Sequence, residues 1–211
     1  MVFKNRKEAG KKLAELLKKY KNSDSVVYAL PRGGVLVGFE IAKELNLPLD
    51  LIIPRKIGHP LSPEYAIAAV TENGHMVENK NEVLSVNKDW FEKEIEKERS
   101  EAKRRREQYL SKWKSPTVKG KTAIIVDDGI ATGLTIRAAI LEARHKNPGK
   151  IVIAVPVAPS ETVDLIKREA DEFVTLDVFY DFAGSIGAYY QDFPQVTDKE
   201  VISVMKNAKN R

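Results

Sequence analysis

Residues 123–135 read Ala-Ile-Ile-Val-Asp-Asp-Gly-Ile-Ala-Thr-Gly-Leu-Thr: a short apolar run, two adjacent acids, then a loop of glycine and threonine. The chemistry open to such a stretch is the holding of a sugar phosphate. Asp127 and Asp128 fall where a strand would end, so at least one can accept hydrogen bonds from sugar hydroxyls or from water on a bound Mg²⁺. Gly129 and Gly133 permit a tight turn and close approach of the backbone to a ligand. Thr132, Gly133, Leu134 and Thr135 then open a helical pattern through Ile136, Ala139, Ile140 and Ala143. The free N–H groups and dipole of that helix start favour a phosphate dianion, and the threonine hydroxyls add donors without adding charge. The same residues also read as an acidic, glycine-containing turn that merely caps a helix.

Two further clusters could meet anions. Pro31-Arg32-Gly33-Gly34 pairs a forked guanidinium with glycines that leave the backbone unobstructed, and a simple turn would look the same. The basic, proline-bearing stretch 54–63 carries Arg55 and Lys56, and also reads as an exposed loop. His59 reads as a loop residue, and His75 and His145 lack metal-ligand spacing. A Walker A ending is missing, as is any G-x-G-x-x-G, which removes P-loop NTP hydrolysis and dinucleotide chemistry.

The elements that must position these residues follow from hydrophobic pattern. Residues 26–30 and 122–126 are short, β-branched-rich runs, each followed at once by a glycine turn and a helical pattern. Residues 150–157 lead to a helix over 160–170 and a strand over 172–176, and 49–53 reads as another strand. Strands and helices alternate, the pattern of an α/β fold with a mostly parallel central sheet flanked by helices. Ligands bind such sheets outside the carboxyl ends of the strands, which puts both glycine turns on one edge. Residues 65–71 and 75–83, around Asn73-Gly74, predict a hairpin, and the charged stretch 87–112 predicts a helical insertion capped by Asn87. Its run Lys103-Arg-Arg-Arg106 is compatible with RNA, but the interspersed Glu92, Glu94, Glu96, Glu98, Glu101 and Glu107 favour a solvated helix. Residues 178–197 form a tail with Phe179, Tyr180, Phe182, Tyr189, Tyr190 and Phe193, suited to core packing or to stacking on a planar base.

Composition fits a single domain over residues 1–211, with 43% hydrophobic and 31% charged residues. The absence of cysteine excludes disulfides, thiolate nucleophiles and cysteine zinc sites. No apolar run reaches the roughly 18–20 residues of a membrane span, and the charged start 1–8 predicts a cytoplasmic protein without a signal peptide. The net charge of +5 suits nucleic acid or a polyanionic small molecule equally.

Residues 123–135 resemble the phosphoribosyl pyrophosphate (PRPP) signature of type I phosphoribosyltransferases, and Pro31-Arg32-Gly33-Gly34 is similar to that family's pyrophosphate loop. The resemblance covers roughly 26–71 and 119–176 and looks closest to stand-alone phosphoribosyltransferase-domain proteins of undefined acceptor. It implies that Asp127 and Asp128 bind the ribose 2′- and 3′-hydroxyls. Gly129 and the loop Ile130, Ala131, Thr132, Gly133, Leu134 and Thr135 would cradle the 5′-phosphate, and Arg32, Gly33 and Gly34 the pyrophosphate. Arg55 and Lys56 stand where family members carry a mobile loop that closes on pyrophosphate. The implied activity is transfer of the 5-phosphoribosyl group to a nitrogenous acceptor such as a nucleobase, with Mg²⁺ held mainly by PRPP itself rather than by protein ligands. A homodimer is implied by the frequency of dimers in the family. The alternative is a noncatalytic PRPP sensor that binds nucleic acid or a protein partner, with residues 99–106 as its contact.

Overall fold

The computed structural model describes residues 2–111, 114–180 and 184–209. In chain order the elements are α1 (Arg6–Leu16), β1 (Ser25–Ala29), α2 (Gly34–Leu45), β2 (Leu49–Leu51), β3 (Arg55–His59), β4 (Ser62–Val70), β5 (Met76–Glu78), α3 (Lys80–Leu84), α4 (Lys88–Tyr109), β6 (Thr122–Val126), α5 (Leu134–His145), β7 (Lys150–Pro159), α6 (Ser160–Glu169), β8 (Glu172–Phe179) and α7 (Asp198–Lys209).

Five strands form a parallel sheet in the order β2-β1-β6-β7-β8. In the central strands β1, β6 and β7 the side chains alternate between two buried faces, which is why these strands are almost continuously apolar rather than apolar at every second residue. Val27, Ala29, Ile124, Val126, Val152 and Ala154 pack with α1, α2 and α7. Val26, Tyr28, Ala123, Ile125, Ile151 and Ile153 pack with α5 and α6. Each large apolar side chain so buried contributes about 1.5–3 kcal/mol. The α/β architecture expected from the sequence is the one observed. Its strand order reverses direction between β1 and β6, and a parallel sheet opens a crevice at such a switch point.

Strands β3, β4 and β5 make a separate antiparallel sheet. Here the structure corrects the reading of 54–63 as a loop. Arg55 pairs with Val70, Lys56 with Ala69 and Ile57 with Ala68, so both basic residues lie on a strand. The anchor is Ile57, fully buried against Ile67, Ala68, Val70 and Phe91, a single apolar residue that alternation could not reveal. The Asn73-Gly74 hairpin is present, with Gly74 at φ +91°, but its second arm spans only β5 before the chain turns helical at α3.

Helix α4 begins at the expected cap, the Asn87 side chain accepting from the Trp90 N–H at 3.0 Å. It packs against β3, β4 and α7. Arg106 turns inward, donating to the Leu51 carbonyl at 2.6 Å and to Glu72 at 3.1 Å, with Asp50 at 3.5 Å. Arg104 and Arg105 both pair with Glu101. Three of the four cations in the run 103–106 are therefore matched by acids of the same chain. The aromatic tail is packed: Phe179 stacks on Tyr189 at 4.6 Å, Tyr190 on Phe193 at 4.7 Å, and Phe3 meets Tyr190 at 5.5 Å. Tyr180 is exposed, and Phe182 lies outside the described residues. Among the described residues no helix is long and apolar enough to cross a membrane.

Candidate functional site

Residue for residue, β1 lies beside β6 with Ala29 level with Val126, and the Leu30 N–H donates to the Val126 carbonyl at 2.9 Å. The two loops that follow therefore leave the sheet side by side at the switch point. Between them and the β3–β4 hairpin lies a cavity of about 540 Å³. Of the residues singled out in the sequence, Arg32, Gly33, Arg55, Lys56, Asp127, Asp128, Gly129, Ala131, Thr132, Gly133 and Thr135 line it.

Gly34, Ile130 and Leu134 do not line the cavity. Gly34 is buried where a β-carbon would stand 2.8 Å from the Asp127 Cα, so its role is close packing of the two loops. Ile130 and Leu134 point into the core. The Ile130 N–H is already donated to the Val157 carbonyl at 2.9 Å, so it is not free to donate to a ligand. The helix start itself keeps its donors. Gly133, at φ +79°, precedes α5, and the first helical bond runs from Arg137 N–H to the Gly133 carbonyl at 3.0 Å. The N–H groups just before Arg137 have no partner inside the helix and face the loop.

The two acids differ. Asp127 accepts the Asp128 N–H through Oδ1 at 2.8 Å, and burial followed by the neighbouring Asp128 charge pushes its carboxyl well above the ordinary carboxylate range. Asp128 instead accepts from Arg6 Nε at 2.7 Å, with side chains only 7% and 17% exposed, close enough for a charge-assisted bond largely out of water. The Asp128 backbone carbonyl accepts from the Tyr190 hydroxyl at 2.6 Å. One acid is thus pushed toward protonation while its neighbour is matched to a cation.

The basic side of the cavity also divides. Arg55 donates to Glu98 of α4 at 2.7 Å, so its charge is largely satisfied within the chain. Arg32 lies 3.6 Å from Asp198. Lys56 is exposed, faces Asp127 electrostatically, and has no hydrogen-bond or ion-pair partner among the described residues. It is the cation most available to an incoming anion. No group of three or more Asp, Glu or His side chains is arranged to hold a metal among the described residues.

A family model for the phosphoribosyl transferase domain matches residues 3–192. The chain belongs to the phosphoribosyltransferase family. The match extends beyond the two stretches that carried the resemblance and takes in Arg6 and the aromatic tail as far as residue 192. Two Mycobacterium tuberculosis proteins named as phosphoribosyl transferases, from strains CDC 1551 / Oshkosh and ATCC 25618 / H37Rv, are 38% identical over 209 residues. The alignment covers 98% of this chain but 47% of theirs, so the chain spans about half the length of these relatives. The crystal structure of TT1426 from Thermus thermophilus is 39% identical, with a TM-score of 0.81 over 98% of this chain and 99% of that one.

Sequence reasoning missed three residues in or beside this cavity. Glu64 enters it together with Pro63 because 54–63 leads directly into β4 as a hairpin. Ile186 lines it beside Gly129, where a β-carbon would stand 2.5 Å from Ile186 Cγ2. Arg6 gave no local signal, being one of many cations in a charged helix and 122 residues from its partner.

Proposed function

We propose that the chain transfers the 5-phosphoribosyl group of PRPP to a nitrogenous acceptor, releasing pyrophosphate. The observation that carries this reading is the cavity at the β1/β6 switch point, where an acid pair and a helix start face a hairpin bearing Lys56. A ligand with vicinal hydroxyls, one terminal phosphate and a second, more highly charged group at the far end of a five-carbon sugar fits that order of donors and acceptors.

In this reading Asp127 and Asp128 orient the ribose hydroxyls, and Ala131, Thr132, Gly133, Leu134 and Thr135 hold the 5′-phosphate, Leu134 through its N–H alone. Arg32, Lys56 and the backbone of Gly33 take the pyrophosphate, with Arg55 a weaker contributor because of Glu98. Gly34 acts by packing and Ile130 by anchoring the loop. Departure of pyrophosphate leaves an oxocarbenium-like sugar, so the residues contribute orientation and charge matching rather than a covalent intermediate. Mg²⁺ bound to PRPP would neutralise pyrophosphate charge. The few carboxylates in the cavity suit an ion carried on the substrate's own oxygens. The acceptor would enter from the side of Ile186, the point where the tail reaches the cavity.

The test is pyrophosphate release from PRPP and Mg²⁺ against a panel of nucleobases, with thermal shift by PRPP alone in parallel. Release with any acceptor, abolished in Asp128→Asn, supports the proposal. Binding without release across the panel would favour the noncatalytic sensor, although Arg104 and Arg105 pair with Glu101 and Arg106 with Glu72 within the chain.

A further inference from the structure

Arg6 is the most heavily engaged polar side chain near the cavity that the proposed function leaves unused. Its Nε donates to Asp128 Oδ2 at 2.7 Å, its Nη1 donates to the Pro194 carbonyl at 2.8 Å, and its guanidinium lies 3.6 Å from the Phe193 ring centroid. The side chain is 7% exposed, so these contacts are made out of water. A β-carbon on Gly33 would stand 1.8 Å from Asp128 Oδ2 and 2.9 Å from Arg6 Nε, so the Arg6–Asp128 pair is seated directly against the loop that follows β1.

The segment before α1 and the segment before α7 meet to make this arrangement. The Phe3 N–H donates to the Tyr189 carbonyl at 2.9 Å, and the Gln191 and Asp192 N–H groups donate to the Phe3 and Lys4 carbonyls at 2.8 and 3.0 Å. Three residues of this clasp reach the acid turn from different directions: Arg6 to the Asp128 carboxylate, Tyr190 to its carbonyl, and Ile186 against Gly129. A carboxylate bonded on one oxygen by a rigid planar fork has a fixed χ angle and presents its other oxygen in one direction.

We infer that Arg6 is a positioning residue, holding Asp128 in the orientation that receives the ribose hydroxyls of PRPP, with the paired segments before α1 and α7 as its scaffold. This rests on the reading of the cavity as a PRPP site. The guanidinium acts through Asp128, on the sugar half of the ligand; its own hydrogen bonds go to Asp128 and Pro194, and Arg32 is paired instead with Asp198. Planarity matters as much as charge. A lysine could reach one acceptor but could not bond Asp128 and Pro194 together while lying flat on Phe193.

The discriminating experiment compares two probes on the full chain, PRPP and inorganic pyrophosphate, each with Mg²⁺, by calorimetric titration of wild type, Arg6→Gln and Arg6→Lys. The expected result is a loss of PRPP affinity of about tenfold or more in Arg6→Gln, from the buried carboxylate left without its donor. A smaller loss is expected in Arg6→Lys, with pyrophosphate affinity within about twofold of wild type in both. Unchanged PRPP binding in the variants overturns the inference. Equal loss for both probes also overturns it, since that is what a purely structural role would do. If Arg6→Gln fails to fold, the same split between probes in Arg6→Lys decides the matter. A wild-type chain that binds pyrophosphate but not PRPP contradicts the donor reading itself, a failure visible before any variant is compared.

Discussion

Replacing Gly33 by alanine tests how closely the two loops share space. The added carbon would stand 1.8 Å from Asp128 Oδ2 and 2.6 Å from its Cγ, where ordinary contact begins at 3.4 Å. The carboxylate must therefore retreat by about 1.6 Å, and it cannot do so while bonded to Arg6 at 2.7 Å. Misplacing a contacting group by about 1 Å costs on the order of 100-fold in a site that depends on orientation. Overpacking adds about 1–3 kcal/mol of destabilisation. At roughly 2–4 °C per kcal/mol, the unliganded melting point should fall by about 2–12 °C. The assay is thermal unfolding with and without PRPP and Mg²⁺. At a PRPP concentration about 100 times its Kd the wild type gains about 2.7 kcal/mol, whereas a variant bound 100-fold more weakly gains only about 0.4 kcal/mol. A Gly33→Ala chain with the wild-type melting point and the wild-type ligand shift would refute the account of how the loops and Asp128 fit together.

Gly34→Ala should destabilise more than Gly33→Ala, because its carbon meets backbone, the Asp127 Cα at 2.8 Å and the Val126 carbonyl at 2.9 Å, which cannot rotate away; urea unfolding of the two variants checks the order. Lys56→Ala should weaken PRPP and pyrophosphate binding without moving the melting point, whereas Arg55→Ala should lower stability by about 1–3 kcal/mol through the unpaired, largely buried Glu98; titration and melting of each variant separate the two. Arg106→Gln removes the cation beside Glu72, whose carboxyl is already raised by burial, with Arg106 acting to lower it. A carboxyl raised in the folded state binds more protons there than in the unfolded chain, so stability falls as pH rises from the ordinary carboxylate range through the raised value. The variant should lose about 3–5 kcal/mol near neutral pH and less near pH 5, measured by melting at both. A loss independent of pH would count against this assignment.

The parts of the fold legible in the sequence were those set by local pattern. β1 and β6 were readable because burial on both faces makes such strands continuously apolar, and the acid turn because its residues are contiguous. What escaped was whatever depends on contacts far apart in the chain. β3 looked like a basic loop because its only core residue is Ile57, and Arg55 looked free because Glu98 lies 43 residues away. Helix α7 went unread beyond the tail, although its Val201 and Met205 are buried at helical spacing against the sheet's first face. Glycines were legible as turns but not as neighbours: nothing in Pro31-Arg32-Gly33-Gly34 announces that Gly33 makes room for a carboxylate nearly a hundred residues on. The aromatic tail could have stacked on a base or packed, and the Phe179–Tyr189 and Tyr190–Phe193 stacks engage four of its rings within the chain.

The central claim is that the cavity between the β1 and β6 loops receives PRPP. Calorimetric titration of the wild-type chain with PRPP and Mg²⁺, beside Asp128→Asn under the same conditions, tests it most directly. The account predicts saturable binding with one site per chain, weakened at least tenfold by the substitution through the lost charge-assisted bond. Absence of binding at millimolar PRPP, or equal binding by both proteins, would contradict it.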